Sequence, residues 1–305
     1  MNATPLLVTG ANGHLGRRLC ARLAGERPVR ALVRSERAAG QLRALPEAQR
    51  PEIALVDYTD ADRIALAAVG CEVAVHLVGI LKETRANRYA DAHERPCQAL
   101  AEAADRLGMR RIVALSILGA DAASPNACLA SRARAEAILL AAKTPAVVIR
   151  VPMVLGAGDA ASAALLRQAR GPLTRLVRGG ATLEQPIAAR DVVEALVAAT
   201  TREGLDGAVL DLAGPESLSH RDLVLRAAAL LGGDVRIGSI PGWLARGVAG
   251  VAERFAADPP ITRAMLGVLE HDDAIDPEPT RAALGIDLTP LDDALGAAFA
   301  EEPDA

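Results

Sequence analysis

Leu6-Leu7-Val8-Thr9-Gly10-Ala11-Asn12-Gly13-His14-Leu15-Gly16 decides how the rest of the chain is read. A short apolar run feeds into three glycines and then into Arg17 to Leu23, a segment of helical pattern. That is the order of a strand, a phosphate-cradling turn and a helix N-terminus. Glycine reaches backbone conformations closed to other residues, and its missing side chain lets a pyrophosphate lie against backbone N–H groups. The spacing is G-x-x-G-x-x-G rather than G-x-G-x-x-G. A glycine-rich turn that holds nothing is the plain alternative. The setting argues against it, because the turn follows a strand and opens a βαβ pattern.

Outward from that turn, strand-like and helix-like segments alternate. Apolar or β-branched runs recur at Val29–Val33, Ile53–Val56, Val73–Leu77, Arg111–Ser116 and Ala146–Val151. Between them lie Ala- and Leu-rich stretches, including Asp60–Val69, Tyr89–Leu107 and Ser131–Ala142. Continuous apolar strands joined by helices predict an α/β fold, a doubly wound parallel sheet of the Rossmann type. From about residue 152 glycines and prolines break the chain into shorter pieces. Asp191 is placed to cap a helix, a strand is expected at Ala208–Leu212, and Ser219 is placed to cap His220–Leu231. The expected division is a dinucleotide-binding core over 1–152, a mixed segment over 153–300 that completes the sheet and forms a small C-terminal lobe, and a tail over 301–305.

Composition narrows the classes. Of 305 residues 51% are hydrophobic but only 2% aromatic, so Ala, Val and Leu must fill the core. No apolar run is long enough to span a bilayer, and no secretory leader pattern opens the chain. Cys20, Cys71, Cys97 and Cys128 lack C-x-x-C spacing, which fits reduced thiols and a cytoplasmic protein, with membrane association only through a partner. A net charge of −4 argues against nucleic acid.

Several residues at expected strand ends carry chemistry. Arg34 closes the second strand, 18 residues beyond Gly16. An acid near that place bonds an adenosine ribose 2′-hydroxyl, whereas an arginine accommodates a 2′-phosphate. The planar bidentate cation suits phosphate, so NADP(H) is favoured, with NAD(H) kept open by Glu36. Asp57, before Tyr58, is placed to accept from an adenine amino group or to shape a turn. Ser116 closes the fifth strand, where a hydroxyl would face a nicotinamide or substrate, although serine also favours strand ends. The expected cofactor contacts are Gly10, Asn12, Gly13, His14, Leu15, Gly16, Arg34, Asp57, Tyr58, Leu77, Val78, Gly79, Ser116 and Arg132.

The chain resembles an atypical, extended-type short-chain dehydrogenase/reductase. Within that family it is similar to the group that includes the nucleotide-binding accessory subunit of respiratory complex I and its bacterial relatives. The resemblance rests on Thr9 through Gly16, on Val75-His76-Leu77-Val78-Gly79-Ile80-Leu81-Lys82-Glu83-Thr84, and on Leu115 through Ala120. It extends to Ala133-Arg134-Ala135-Glu136, Arg150 through Asp159, Arg190-Asp191-Val192 and Ala213-Gly214-Pro215-Glu216. In that superfamily a Tyr and a Lys four residues later share a helix face. The Tyr passes the proton during hydride transfer, and the Lys holds the nicotinamide ribose and lowers the Tyr pKa. Here the register places Cys128 at the Tyr position and Arg132 at the Lys position. No Tyr precedes a Lys by four anywhere in the chain. Arginine can hydrogen-bond ribose hydroxyls but cannot exchange a proton. A cysteine is too short to reach a substrate placed for tyrosine, and a small buried thiol is its plain reading.

The histidines do not replace that pair. His14 lies in the glycine loop, His76 in a buried strand, and His93 is expected at a surface or interface. His271 sits in the run Glu270-His271-Asp272-Asp273, whose contiguous side chains diverge, so no metal site is expected. Trp243, the only tryptophan, is expected to dock the C-terminal lobe or to line a cleft. These readings predict an NADP(H)-binding protein without the usual proton donor, with Ser116, Cys128 and Arg132 as weak catalytic candidates. The resemblance implies a structural, sensing or assembly role beside a protein partner in redox or quinone metabolism. The alternatives are an active NAD(P)H-dependent oxidoreductase or epimerase with a non-standard donor, and a nucleotide-sensing regulator.

Overall fold

A computed structural model describes residues 4–84, 87–256 and 258–300; the expected tail lies outside them. The chain divides into two compact units. The first comprises Met1–Ile80, Asn87–Arg150 and Val193–Leu210, and the second Leu81–Ala86, Val151–Val192 and Asp211–Ala305.

The first unit opens with β1 (Leu6–Thr9), α1 (His14–Leu23), β2 (Val29–Val33), α2 (Glu36–Arg43), β3 (Glu52–Leu55), α3 (Ala61–Ala67) and β4 (Val73–His76). A π-helical turn, Ala90–Glu94, leads into α4 (Arg95–Leu107), followed by β5 (Arg111–Ile117), α5 (Ala127–Leu140) and β6 (Ala146–Val151). With β7 (Val209–Asp211) these strands form a seven-stranded sheet in the order β7-β6-β5-β4-β1-β2-β3. β1 pairs in parallel with both β2 and β4, which places the reversal of strand order between β1 and β4. Ligands of such sheets bind outside the carboxyl ends of the strands at that reversal. Leu7, Leu32, Ile64, Leu100, Ile112, Leu139 and Val148 fill the core of this unit, as expected when a parallel sheet is covered on both faces.

Elements of the second unit include α6 (Ala160–Arg170), the first turn of α7 (Ala189–Thr201), whose remainder belongs to the first unit, and α8 (His220–Leu230). Four helices follow: α9 (Gly242–Phe255), α10 (Arg263–Leu269), α11 (Glu278–Leu284) and α12 (Leu291–Phe299). Leu165, Leu223, Val224, Leu291 and Leu295 share its core. Ser219 caps α8 as its position predicts, accepting from the Asp222 N–H.

Four expectations are corrected. α5 begins at Ala127, four residues ahead of Ser131, because the Asn126 side chain accepts from the N–H groups of Cys128 and Leu129. Asp191 lies inside α7 rather than capping it, and its carboxylate receives the N–H and hydroxyl of Thr289. His93 is buried, not at a surface. Trp243 is 74% exposed, so it does not dock the lobe through its ring.

Candidate functional site

The glycine turn is held by close approach. Gly10 has φ of +73°, and a Cβ there would meet the Leu77 carbonyl carbon at 3.1 Å. A Cβ on Gly16 would lie 2.5 Å from the Ala11 carbonyl oxygen, so only glycine lets α1 start this close to the turn. The Gly13 N–H donates to the Gly10 carbonyl at 3.0 Å, and the Gly10 N–H donates to the Tyr58 hydroxyl at 3.1 Å. Tyr58 itself donates to the Leu32 carbonyl. Its hydroxyl thus ties the turn to β2, a positioning role that no local pattern signals. The first turn of α1 carries no acidic residue, so nothing of its own neutralises the positive end of that helix. Asn12 donates to Gln41, and Arg18 donates to the His14 Nε2 at 2.9 Å.

At the end of β2, Arg34, Ser35, Glu36, Leu55, Val56 and Asp57 line a cleft of about 310 Å³. The Arg34 guanidinium stands over the Tyr58 ring, 5.5 Å from its centroid. No carboxylate lies within ion-pair distance of Arg34 among the described residues. Glu36 is turned away to Arg43 at 3.0 Å. Asp57 accepts the backbone N–H and hydroxyl of Thr59 through Oδ1, which holds its carboxyl below the usual carboxylate range.

Beside β4 and β5 the groups are enclosed. The Cys128 side chain is fully buried, its Sγ 3.8 Å from the Ile80 carbonyl oxygen. Buried Ser116 donates to Glu136, and Arg150 donates to both Glu136 oxygens through Nε at 3.0 and 3.1 Å. This Ser–Glu–Arg chain joins the end of β5 to α5 and β6. It commits the Ser116 hydroxyl proton to Glu136. Glu136 was part of the resembling motif, but its pairing across 14 residues has no local signature.

Arg132 lies across the exposed backbone of Gly79. A Cβ there would sit 2.0 Å from the Arg132 Nη2, so the glycine makes room for the guanidinium. The Arg132 Nη1 donates to the Val78 carbonyl at 3.4 Å, and no carboxylate pairs with it among the described residues. Burial pulls its pKa below the ordinary arginine value. Behind it, the Arg132 Nε, His76 Nε2 and His93 Nδ1 are buried without partners. His76, His93, Arg132, Cys97, Ser116 and Glu136 are among the residues around a cavity of about 10 Å³, room for at most one water. Thr9 Oγ1 and His76 Nδ1 are 2.8 Å apart, while His93 Nε2 receives the Ile80 N–H at 3.1 Å. Desolvation, with the nearby Arg132 charge second, lowers the pKa of both histidines to about 3. They are neutral and structural.

The expected cofactor contacts therefore lie at or just beyond the carboxyl ends of β1 to β5, on the first turn of α1 and on α5. The glycine cradle and the Arg34 cleft fit a dinucleotide phosphate chain. Among the described residues no cluster of three or more His, Cys, Asp or Glu could hold a metal, and no helix is long and apolar enough to cross a membrane.

Comparison with known proteins agrees with this geometry. A family described as NAD(P)H-binding matches residues 10–203. A mitochondrial protein of Arabidopsis thaliana, NADH dehydrogenase [ubiquinone] 1 alpha subcomplex subunit 9, is 30% identical over 222 residues, 71% of this chain and 55% of that protein. Ceramide reductase of Caulobacter vibrioides is 31% identical over 169 residues, 54% of this chain and 51% of that protein. The matches thus span about half the length of these two relatives. Among solved structures, UDP-glucuronic acid 4-epimerase from Bacillus cereus, in complex with UDP-glucuronic acid and NAD, superposes with a TM-score of 0.75. It is 18% identical, with 97% of this chain and 98% of that one covered, and shows the shared fold.

Proposed function

This chain belongs to the NAD(P)H-binding family, as an atypical short-chain dehydrogenase/reductase of the extended type, and from that premise we propose that it holds NADP(H) as a retained cofactor in a structural, sensing or assembly role. The observation that carries the reading is the contrast along the sheet edge. Arg34 is exposed and α1 opens at the glycine turn with no acid of its own, while Ser116 and Cys128 are buried. A bound nicotinamide would supply a hydride at the carbon facing its substrate.

The chain's own residues support holding rather than proton transfer. The cradle of Gly10, Gly13 and Gly16, with the first N–H groups of α1, would take the pyrophosphate. Arg34, which forms no ion pair among the described residues, would take the adenosine 2′-phosphate. Asp57 would accept from the adenine amino group through its open Oδ2. Arg132, over Gly79 and next to Val78, would hydrogen-bond the nicotinamide ribose hydroxyls. Cys128 has no exposed surface from which to move a proton, and Ser116 is committed to Glu136. The relatedness to a complex I subunit supports a partner in a redox or quinone-linked assembly, and four free thiols fit the cytoplasm. A reductase reading draws on the likeness to ceramide reductase.

Titration with NADPH, followed by cofactor fluorescence, should show binding, with no consumption across a panel of carbonyl compounds and quinones. Turnover that disappears in Cys128→Ala would overturn the retained-cofactor reading. Arg34→Glu should weaken NADPH about tenfold or more while changing NADH little, by loss of one charge-assisted phosphate contact. Equal weakening of both dinucleotides would remove the case for NADP(H).

A further inference from the structure

Helix α9 turns its most apolar side outward. Leu244, Val248, Val251 and Phe255, spaced by four, three and four residues, fall on one face. They are 43%, 57%, 61% and 78% exposed, and Trp243 beside them is 74% exposed. The opposite side, at Ala249, is fully buried. In a chain with one Trp and two Phe, one Phe ends this exposed stripe, and the Trp is exposed at the other end of the helix, about 100° around from Leu244. Large apolar side chains gathered in water on one face mark an interaction surface.

The chemistry around the stripe indicates what covers it. Nearby carboxylates are turned aside, Glu253 of α9 to Arg263 at 2.8 Å and Glu270, just beyond α10, to Arg246. Arg254 is exposed next to Phe255 and forms no ion pair among the described residues. The face is therefore apolar at its centre, with the exposed cation Arg254 at its rim. A face of 14 residues is about 21 Å long and about 10 Å wide. It would bury only about 400 Å² in total against a second protein, far short of the roughly 1,200 Å² that a stable protein interface needs. A bilayer requires no matching shape, and it takes Trp, Phe and Leu at the acyl boundary with arginines at the phosphates.

We propose that the outward face of α9, Trp243, Leu244, Val248, Val251 and Phe255, docks this protein in the plane of a membrane surface containing anionic phospholipid. Docking is by α9 itself, without a spanning segment. It needs no dinucleotide, so its test is independent of the cofactor reading.

Trp243 is the only tryptophan, so intrinsic emission reports this face alone. The full chain is mixed with vesicles of phosphatidylcholine and phosphatidylglycerol. Emission should move to shorter wavelength, lipids brominated along the acyl chain should quench it, and the protein should sediment with the vesicles. Val251→Asp, at an exposed position, should lower the vesicle-bound fraction about tenfold or more with an unchanged melting curve. Bromolipid quenching of the unaltered protein needs no variant, so a folding defect cannot decide the outcome. Absence of both sedimentation and shift overturns the proposal. Vesicle binding without quenching of Trp243, or undiminished in a folded Val251→Asp, places the contact elsewhere and overturns it as well. A shift that depends on protein concentration without vesicles, with dimers in sedimentation velocity, would assign the face to a second copy instead.

Discussion

The two ends of the sheet edge are built on opposite principles. At the β1–β2 end the backbone comes close enough that only glycine fits, and the cation Arg34 stands free in a cleft. At the β4–β5 end Ser116, Glu136 and Arg150 satisfy one another, Cys128 is sealed, and two neutral histidines back onto Arg132. At the first end α1 has no acid in its first turn and Arg34 forms no ion pair among the described residues, whereas at the second Ser116 and Arg150 both spend donors on Glu136. This difference supports the proposed reading: the first end is suited to hold a dinucleotide, and the polar groups of the second are held by one another.

That contrast can be broken at several points. The largest effect should come with acid. His76 and His93 have folded pKa values of about 3 against an ordinary 6.5, so the unfolded chain binds more protons between those values. Their contribution is complete above pH 6.5 and is lost as pH falls toward 3. The loss approaches about 1.4 kcal/mol per pH unit for each histidine. Urea unfolding at stepped pH measures the slope, which should shrink in His76→Gln; an unchanged slope would show that the enclosed cluster is not its source.

Glu136→Gln should cost about 2 kcal/mol, because it removes the carboxylate charge that accepts two hydrogen bonds from Arg150 in a largely buried setting. A loss below about 1 kcal/mol, read from the denaturant midpoint, would mean the chain is dispensable and Ser116 free to act. Gly16→Ala should cost about 2 kcal/mol through the 2.5 Å clash with Ala11, and should weaken NADPH by displacing α1 from the turn. Full binding in Gly16→Ala would detach the glycine cradle from the ligand. Cys128→Ala is the mildest, about 1 kcal/mol by calorimetry, with dinucleotide affinity unchanged. A changed affinity would put the thiol inside the site.

Local sequence made the β1–β2 end legible. Strands β1, β2 and β6 begin and end where their apolar runs do, and Ser219 caps α8, because these features depend on neighbours within a few residues. The other end was only partly legible. Cys128 and Arg132 were identifiable as replacements of a Tyr and a Lys, but not the guanidinium resting on Gly79, nor His93 reaching Ile80. The π-helical turn that aims His93 inward has no pattern of its own. Asp191 misled for a related reason: its capping geometry is plausible locally, yet Thr289, 98 residues away, claims its carboxylate.

The sequence by itself determined a glycine-rich turn in a parallel α/β sheet, an arginine rather than an acid at the end of β2, and that no Tyr precedes a Lys by four residues. Backbone conformation and residue chemistry are written locally, and a missing side chain is missing wherever the chain folds. Tertiary structure alone decided which polar groups face a ligand, which are consumed by partners tens of residues away, and that the apolar stripe of α9 faces water. A helix's period shows that an apolar face exists; only packing shows whether anything covers it.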